Sequence, residues 1–91
     1  MTTYSFSDGD PCEVEIKGHA EYNPGNDIVC AACSVLTCLL VNMPEVQTAQ
    51  VKPGHVKLTI KVTEKSGPVI EAVRGGFRMI RHKYPDNVSE A

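Results

Sequence analysis

The chain has 91 residues, of which 42% are hydrophobic and 22% charged, and its formal net charge is -2. That is the size and composition of one small globular domain, and the near-neutral, slightly acidic balance gives no electrostatic basis for binding nucleic acid or an anionic membrane. Residues 1–5 lack the basic start and apolar core of a signal peptide, and the longest apolar run, residues 28–41, is too short to span a bilayer. The expected setting is therefore cytoplasmic, with the four cysteines reduced.

Residues 3–7 form a short predicted strand with Tyr4 and Phe6 on one face. Ser7-Asp8-Gly9-Asp10-Pro11 carries turn chemistry. From Cys12 the alternation is clean, with Cys12, Val14 and Ile16 facing one way and Glu13, Glu15 and Lys17 the other, so the two runs read as a hairpin. Gly18 interrupts the pattern and suits a bend or a close backbone approach beside His19. Residues 21–26 are a loop punctuated by Asn23-Pro24-Gly25, and Asp27 or Asn26 can cap a helix over residues 28–41. That helix is apolar over most of its circumference, which predicts burial against the sheet, a partner subunit, or both. Pro44 ends it.

Residues 46–52 are a weaker strand, residues 52–55 a turn, and residues 55–62 a well-alternating strand with Val56, Leu58, Ile60 and Val62 on one face. After a loop through Pro68, residues 69–84 show helical spacing, with Val69, Val73, Phe77 and Ile80 aligned. The tail after Tyr84-Pro85 reads as frayed. The order ββαββα predicts an α+β, two-layer sandwich: a mainly antiparallel sheet covered by two helices, in a single domain over residues 1–91.

The stretch that carries chemistry runs from Gly18 to Ser34. Cys30 falls in the first turn of the predicted helix, where the helix dipole favours a thiolate by about 0.3–1 kcal/mol. An imidazole delivered from the neighbouring strand, His19, would complete a nucleophile-and-base pair, and the amides of Cys30 and Ala31 are expected oxyanion donors. Ser34, one turn after Cys30, is expected to face the same side and support the site. Pro24 and Gly25 lie between the two reactive groups and mark a mobile substrate loop. Asp27 is given a supporting role, orienting His19 or the start of the helix.

Other readings compete. Cys30-Ala31-Ala32-Cys33 is a CxxC at a helix start, as in thiol–disulfide exchange proteins, although the hairpin-built sheet differs from their parallel βαβ setting. His19, Cys30 and Cys33 with Cys38 or Cys12 are a conceivable zinc set, but Cys38 stands about 12 Å along the helix axis from Cys30. Cys12, Cys33 and Cys38 otherwise read as small buried apolar residues, and His55 and His82 as solvated. Arg74, Arg78, Arg81 and Lys83 read as a solvated helix face.

Two blocks, Gly18-His19-Ala20 and Asp27-Ile28-Val29-Cys30-Ala31-Ala32 followed by Ser34, resemble the signature of the ribosomal-processing cysteine protease (Prp) family. The resemblance implies a cysteine endopeptidase with Cys30 as nucleophile and His19 as its base. It implies a substrate as well: the precursor of large-subunit ribosomal protein twenty-seven, trimmed of an N-terminal extension. It further implies a cytoplasmic homodimer with no metal and no cofactor, and with no direct nucleic-acid or membrane partner. Cys33 stands where the family usually carries an aliphatic residue. The alternatives are a non-catalytic ribosome-associated binding module and a thiol–disulfide exchange protein using Cys30 and Cys33.

Overall fold

The computed structural model describes residues 1–91 as β1 (Thr2–Phe6), β2 (Cys12–Lys17), α1 (Ile28–Val41), β3 (Val46–Lys52), β4 (His55–Ile60), α2 (Ser66–Lys83) and β5 (Val88–Glu90). One five-stranded sheet has the order β3-β4-β2-β1-β5. Every neighbouring pair is antiparallel except β1 and β5, which run parallel. The fold is α+β, with both helices packed on the sheet.

Period-two alternation decides which face they cover. Tyr4 lies opposite Ile16, Phe6 opposite Val14, and Val14 opposite Leu58, so their side chains share one face. These residues join Val29, Cys33 and Leu40 of α1 and Ile70, Val73 and Phe77 of α2 in a single buried cluster. At its centre the Phe77 ring stacks on Tyr4 at 5.0 Å and tilts against Phe6 at 6.1 Å. The other face carries Glu13, Glu15, Lys57 and Thr59 and meets water.

Several expectations are corrected. The tail after Pro85 is not frayed: Val88 is fully buried, β5 pairs with β1, and the Ala91 amide donates to Tyr4 O at 2.9 Å. Helix α2 begins at Ser66 rather than Val69. Thr63 Oγ1 accepts from the Ser66 amide at 3.0 Å, and buried Ser66 Oγ donates to Lys61 O at 2.6 Å. Pro68 fits in that first turn because its missing N–H would have no intrahelical partner there. Ile70, not Val69, shares the buried stripe with Val73 and Phe77, and strand β4 stops at Ile60. Helix α1 buries only Val29, Cys33 and Leu40 and leaves Ile28, Val35 and Leu39 more than half exposed. Cys38 is exposed, not buried.

Candidate active site

The histidine is held through its neighbours. Gly18 follows β2 with φ +84, and a Cβ there would run into the Met1 carbonyl oxygen, so the bend needs glycine. Its amide donates to Gly54 O, in the turn between β3 and β4, at 2.8 Å. On the other side Ala20 is buried, and its carbonyl accepts from Asn87 Nδ2 at 3.0 Å. His19 projects between these two anchored residues and is itself exposed.

The thiol is held by its helix. Asp27 caps α1 from extended backbone, φ -102 and ψ 102. Its Oδ1 accepts from the Cys30 amide at 2.9 Å, while Oδ2 accepts from the Tyr22 and Asn23 amides at 2.8 and 3.2 Å. One carboxylate thus ties the helix start to the loop that comes back from His19. Burial pushes the Asp27 carboxyl up, but the amides of Cys30, Asn23, Tyr22 and Val29 outweigh it and hold it below the usual carboxylate value. Asp27 is hydrogen-bonded to the helix start and the loop, not to the imidazole. Cys30, third in the helix, is half-buried.

His19 and Cys30 line the same two cavities without a hydrogen bond between them. One, of about 260 Å³, is an apolar groove walled by Ile16, Cys33, Val41, Val51 and Val56, with Ser34 on its rim. The other, of about 570 Å³, is bounded by Glu21, Pro24, Gly25 and Asp27. The thiol and the imidazole therefore stand at the junction of two depressions, the second of them edged by the Glu21 and Asp27 carboxylates.

The amides behave differently from the sequence expectation. The Cys30 N–H is taken by Asp27 Oδ1, and the Ala31 N–H donates to Asp27 O at 3.0 Å. Neither is an unpartnered oxyanion donor, since the side-chain cap takes the first and the helix ladder the second. His55 is not simply solvated, since its Nε2 lies 2.7 Å from Glu15 Oε2. That hydrogen bond holds the Glu15 carboxyl below its ordinary value despite an opposing desolvation.

All four cysteines are free thiols. Cys33 is buried, and burial, followed by the neighbouring Cys30 and Asp27 charges, pushes its thiol up to about 11. No three His, Cys, Asp or Glu side chains are grouped so that they could hold a metal ion, so His19, Cys30 and Cys33 do not converge as a zinc set.

What sequence reasoning missed is Gly54. Placed there by the β3–β4 turn, it lies against the His19 ring, and no local pattern joins positions so far apart in the chain.

The family model for the cysteine protease Prp matches residues 1–89. Among solved structures, the essential ribosomal processing protease Prp from S. aureus, in complex with a covalently linked product peptide, has a TM-score of 0.73 at 20% identity. That match covers 99% of this chain and 97% of the other. The same S. aureus protease in complex with a substrate peptide gives 0.75 at 18% identity, covering 100% and 98%. SMU.848 from Streptococcus mutans gives 0.74 at 29% identity, covering 99% and 91%. At these identities the S. aureus comparisons establish a shared fold. No curated protein matches the sequence.

Proposed function

Because the chain belongs to the Prp cysteine protease family of ribosomal-protein processing enzymes, we propose that it removes the N-terminal extension of the precursor of large-subunit ribosomal protein twenty-seven. In this reading Cys30 is the nucleophile and His19 the general base. The observation that carries the assignment is that these two side chains, held on separate anchored segments, line both the apolar groove and the depression beside Glu21 and Asp27.

The chemistry follows from that placement. His19 takes the Cys30 thiol proton, and the sulfur attacks the scissile carbonyl carbon. As the tetrahedral intermediate collapses, the imidazolium gives the proton to the leaving amine, which departs with the C-terminal fragment. Water, deprotonated by the same imidazole, then releases the N-terminal fragment from the thioester. For the Cys30 amide to meet the oxyanion, Asp27 Oδ1 has to release it. Side chains preceding the scissile bond lie in the apolar groove, and its aliphatic walls suit hydrophobic or aromatic residues. The loop carrying Pro24 and Gly25 covers the opposite flank. Gly18 supports His19, while Ser34 and Ala31 contribute helix surface beside the thiol.

The enzyme acts in the cytoplasm as a homodimer. The exposed stripe of Ile28, Val35 and Leu39 on α1 supports the second part of that reading. Sedimentation equilibrium checks it, and a monomer at micromolar concentration would refute it.

Incubation of the purified protein with the tagged precursor tests the substrate. The expected product has one new N-terminus, at the junction between extension and mature protein. A precursor left intact, or cut at scattered positions, would contradict the assignment.

A further inference from the structure

We propose that Gly54 is a positioning residue for the His19 imidazole: the β3–β4 turn is the wall on which the ring rests, and the lack of a side chain there sets how near the ring stands to Cys30. The inference deepens the proposed function and rests on its assignment of His19 and Cys30.

Three observations converge on this turn. A Cβ added to Gly54 would lie 3.1 Å from His19 Nε2, 3.7 Å from Cδ2 and 3.8 Å from Cε1, so the ring itself faces the glycine. The Gly54 carbonyl accepts from the Gly18 amide at 2.8 Å, which fixes the turn to the residue immediately before the histidine. His55, the next residue, is in register with Lys17 on one side and Lys52 on the other, so the backbone of the turn cannot drift outward without unpairing strands.

The ring, by contrast, is exposed and makes no hydrogen bond that would hold it elsewhere. If a side chain were added at Gly54, the imidazole would move and the backbone would stay. Gly54, His19 and Cys30 all line the apolar groove, so any such shift is felt where thiol and ring must meet. Displacing a reacting group by about 1 Å costs on the order of 10²-fold in rate.

Gly54 also has φ +71, which a side chain would strain in its own right. Two further variants separate strain from the contact. Gly9 has φ +123 with no atom within 4 Å of an added Cβ, and it lies in the β1–β2 turn, at the other end of β2 from His19. Gly9→Ala therefore carries strain without the contact. Asparagine tolerates the left-handed region, so Gly54→Asn carries the contact with little strain.

The experiment measures kcat, KM and the pH dependence of kcat/KM on the tagged precursor, together with the His19 imidazole NMR signals. Gly54→Ala and Gly54→Asn are expected to lower kcat by about 10- to 100-fold, with KM read separately because the added side chain also enters the groove that takes the substrate. Both should shift the His19 ring signals and the pH profile. Gly9→Ala should lower the thermal midpoint and leave kcat at the parent value. Should Gly54→Ala fail to fold, Gly54→Asn carries the test. A folded Gly54→Asn protein with parent kcat and parent His19 signals would overturn the inference, because the glycine would then serve only its φ. His19→Ala and Cys30→Ala separate the two levels of the claim. If either cleaves like the parent, the catalytic assignment itself fails. If both are inactive while Gly54→Asn is unaffected, only the positioning role fails.

Discussion

Asp27 gives the thiol its address. Its carboxylate gathers the amides of Cys30, Tyr22 and Asn23, which joins the helix start to the loop that follows His19. Those bonds favour the charged form, so the folded-state value lies below the ordinary 3.8. The sign of the linkage follows. The contribution is complete above the unfolded value and is lost as pH falls through the folded one. Replacing Asp27 with Asn keeps a capping side chain and removes the titration. The difference in thermal midpoint between the parent and Asp27→Asn should therefore be largest near neutral pH and shrink below about pH 4. A gap that stays constant from pH 7 to 3 would contradict this role. Asp27 was legible as a possible cap because an acid stood before an apolar run. Its grip on Tyr22 and Asn23 was not, since a loop's return path leaves no periodic trace.

Among the helices and strands, neighbouring glycines in α2 have opposite roles. A Cβ on Gly76 would stand 3.0 Å from both Leu36 methyl carbons, so this glycine lets α1 and α2 approach each other. Gly75 has no atom within 4 Å of such a Cβ. Gly75→Ala should stabilise the protein by about 0.5–1 kcal/mol, the helix-propensity gain. Gly76→Ala should forfeit that gain because Leu36 has to repack. Urea midpoints decide it, and equal stabilisation by both variants would refute the packing role. The sequence alone does not say which glycine of the pair meets α1. Strand β5 escaped notice for a related reason. It is only three residues long with one buried apolar side chain, and what makes it a strand is the free edge of β1 rather than its own pattern.

For the molecule as a whole, alternation in β2 and β4 and the stripe on α2 were enough to read a helix-covered sheet. They could not reveal that the turn after β3 returns to the end of β2 and meets the histidine. The sheet order β3-β4-β2 brings that about by stacking the β3–β4 turn beside Gly18. The active-site assignment therefore depends on two levels: a local motif that supplies thiol and imidazole, and a topology that delivers the imidazole to the thiol's groove. The most direct test is cleavage of the tagged precursor by the parent protein and by Cys30→Ala under identical conditions. Cys30→Ala is expected to lose about 10³-fold or more of the parent kcat/KM while keeping its fold. Cleavage by Cys30→Ala at the parent rate would contradict the active-site assignment.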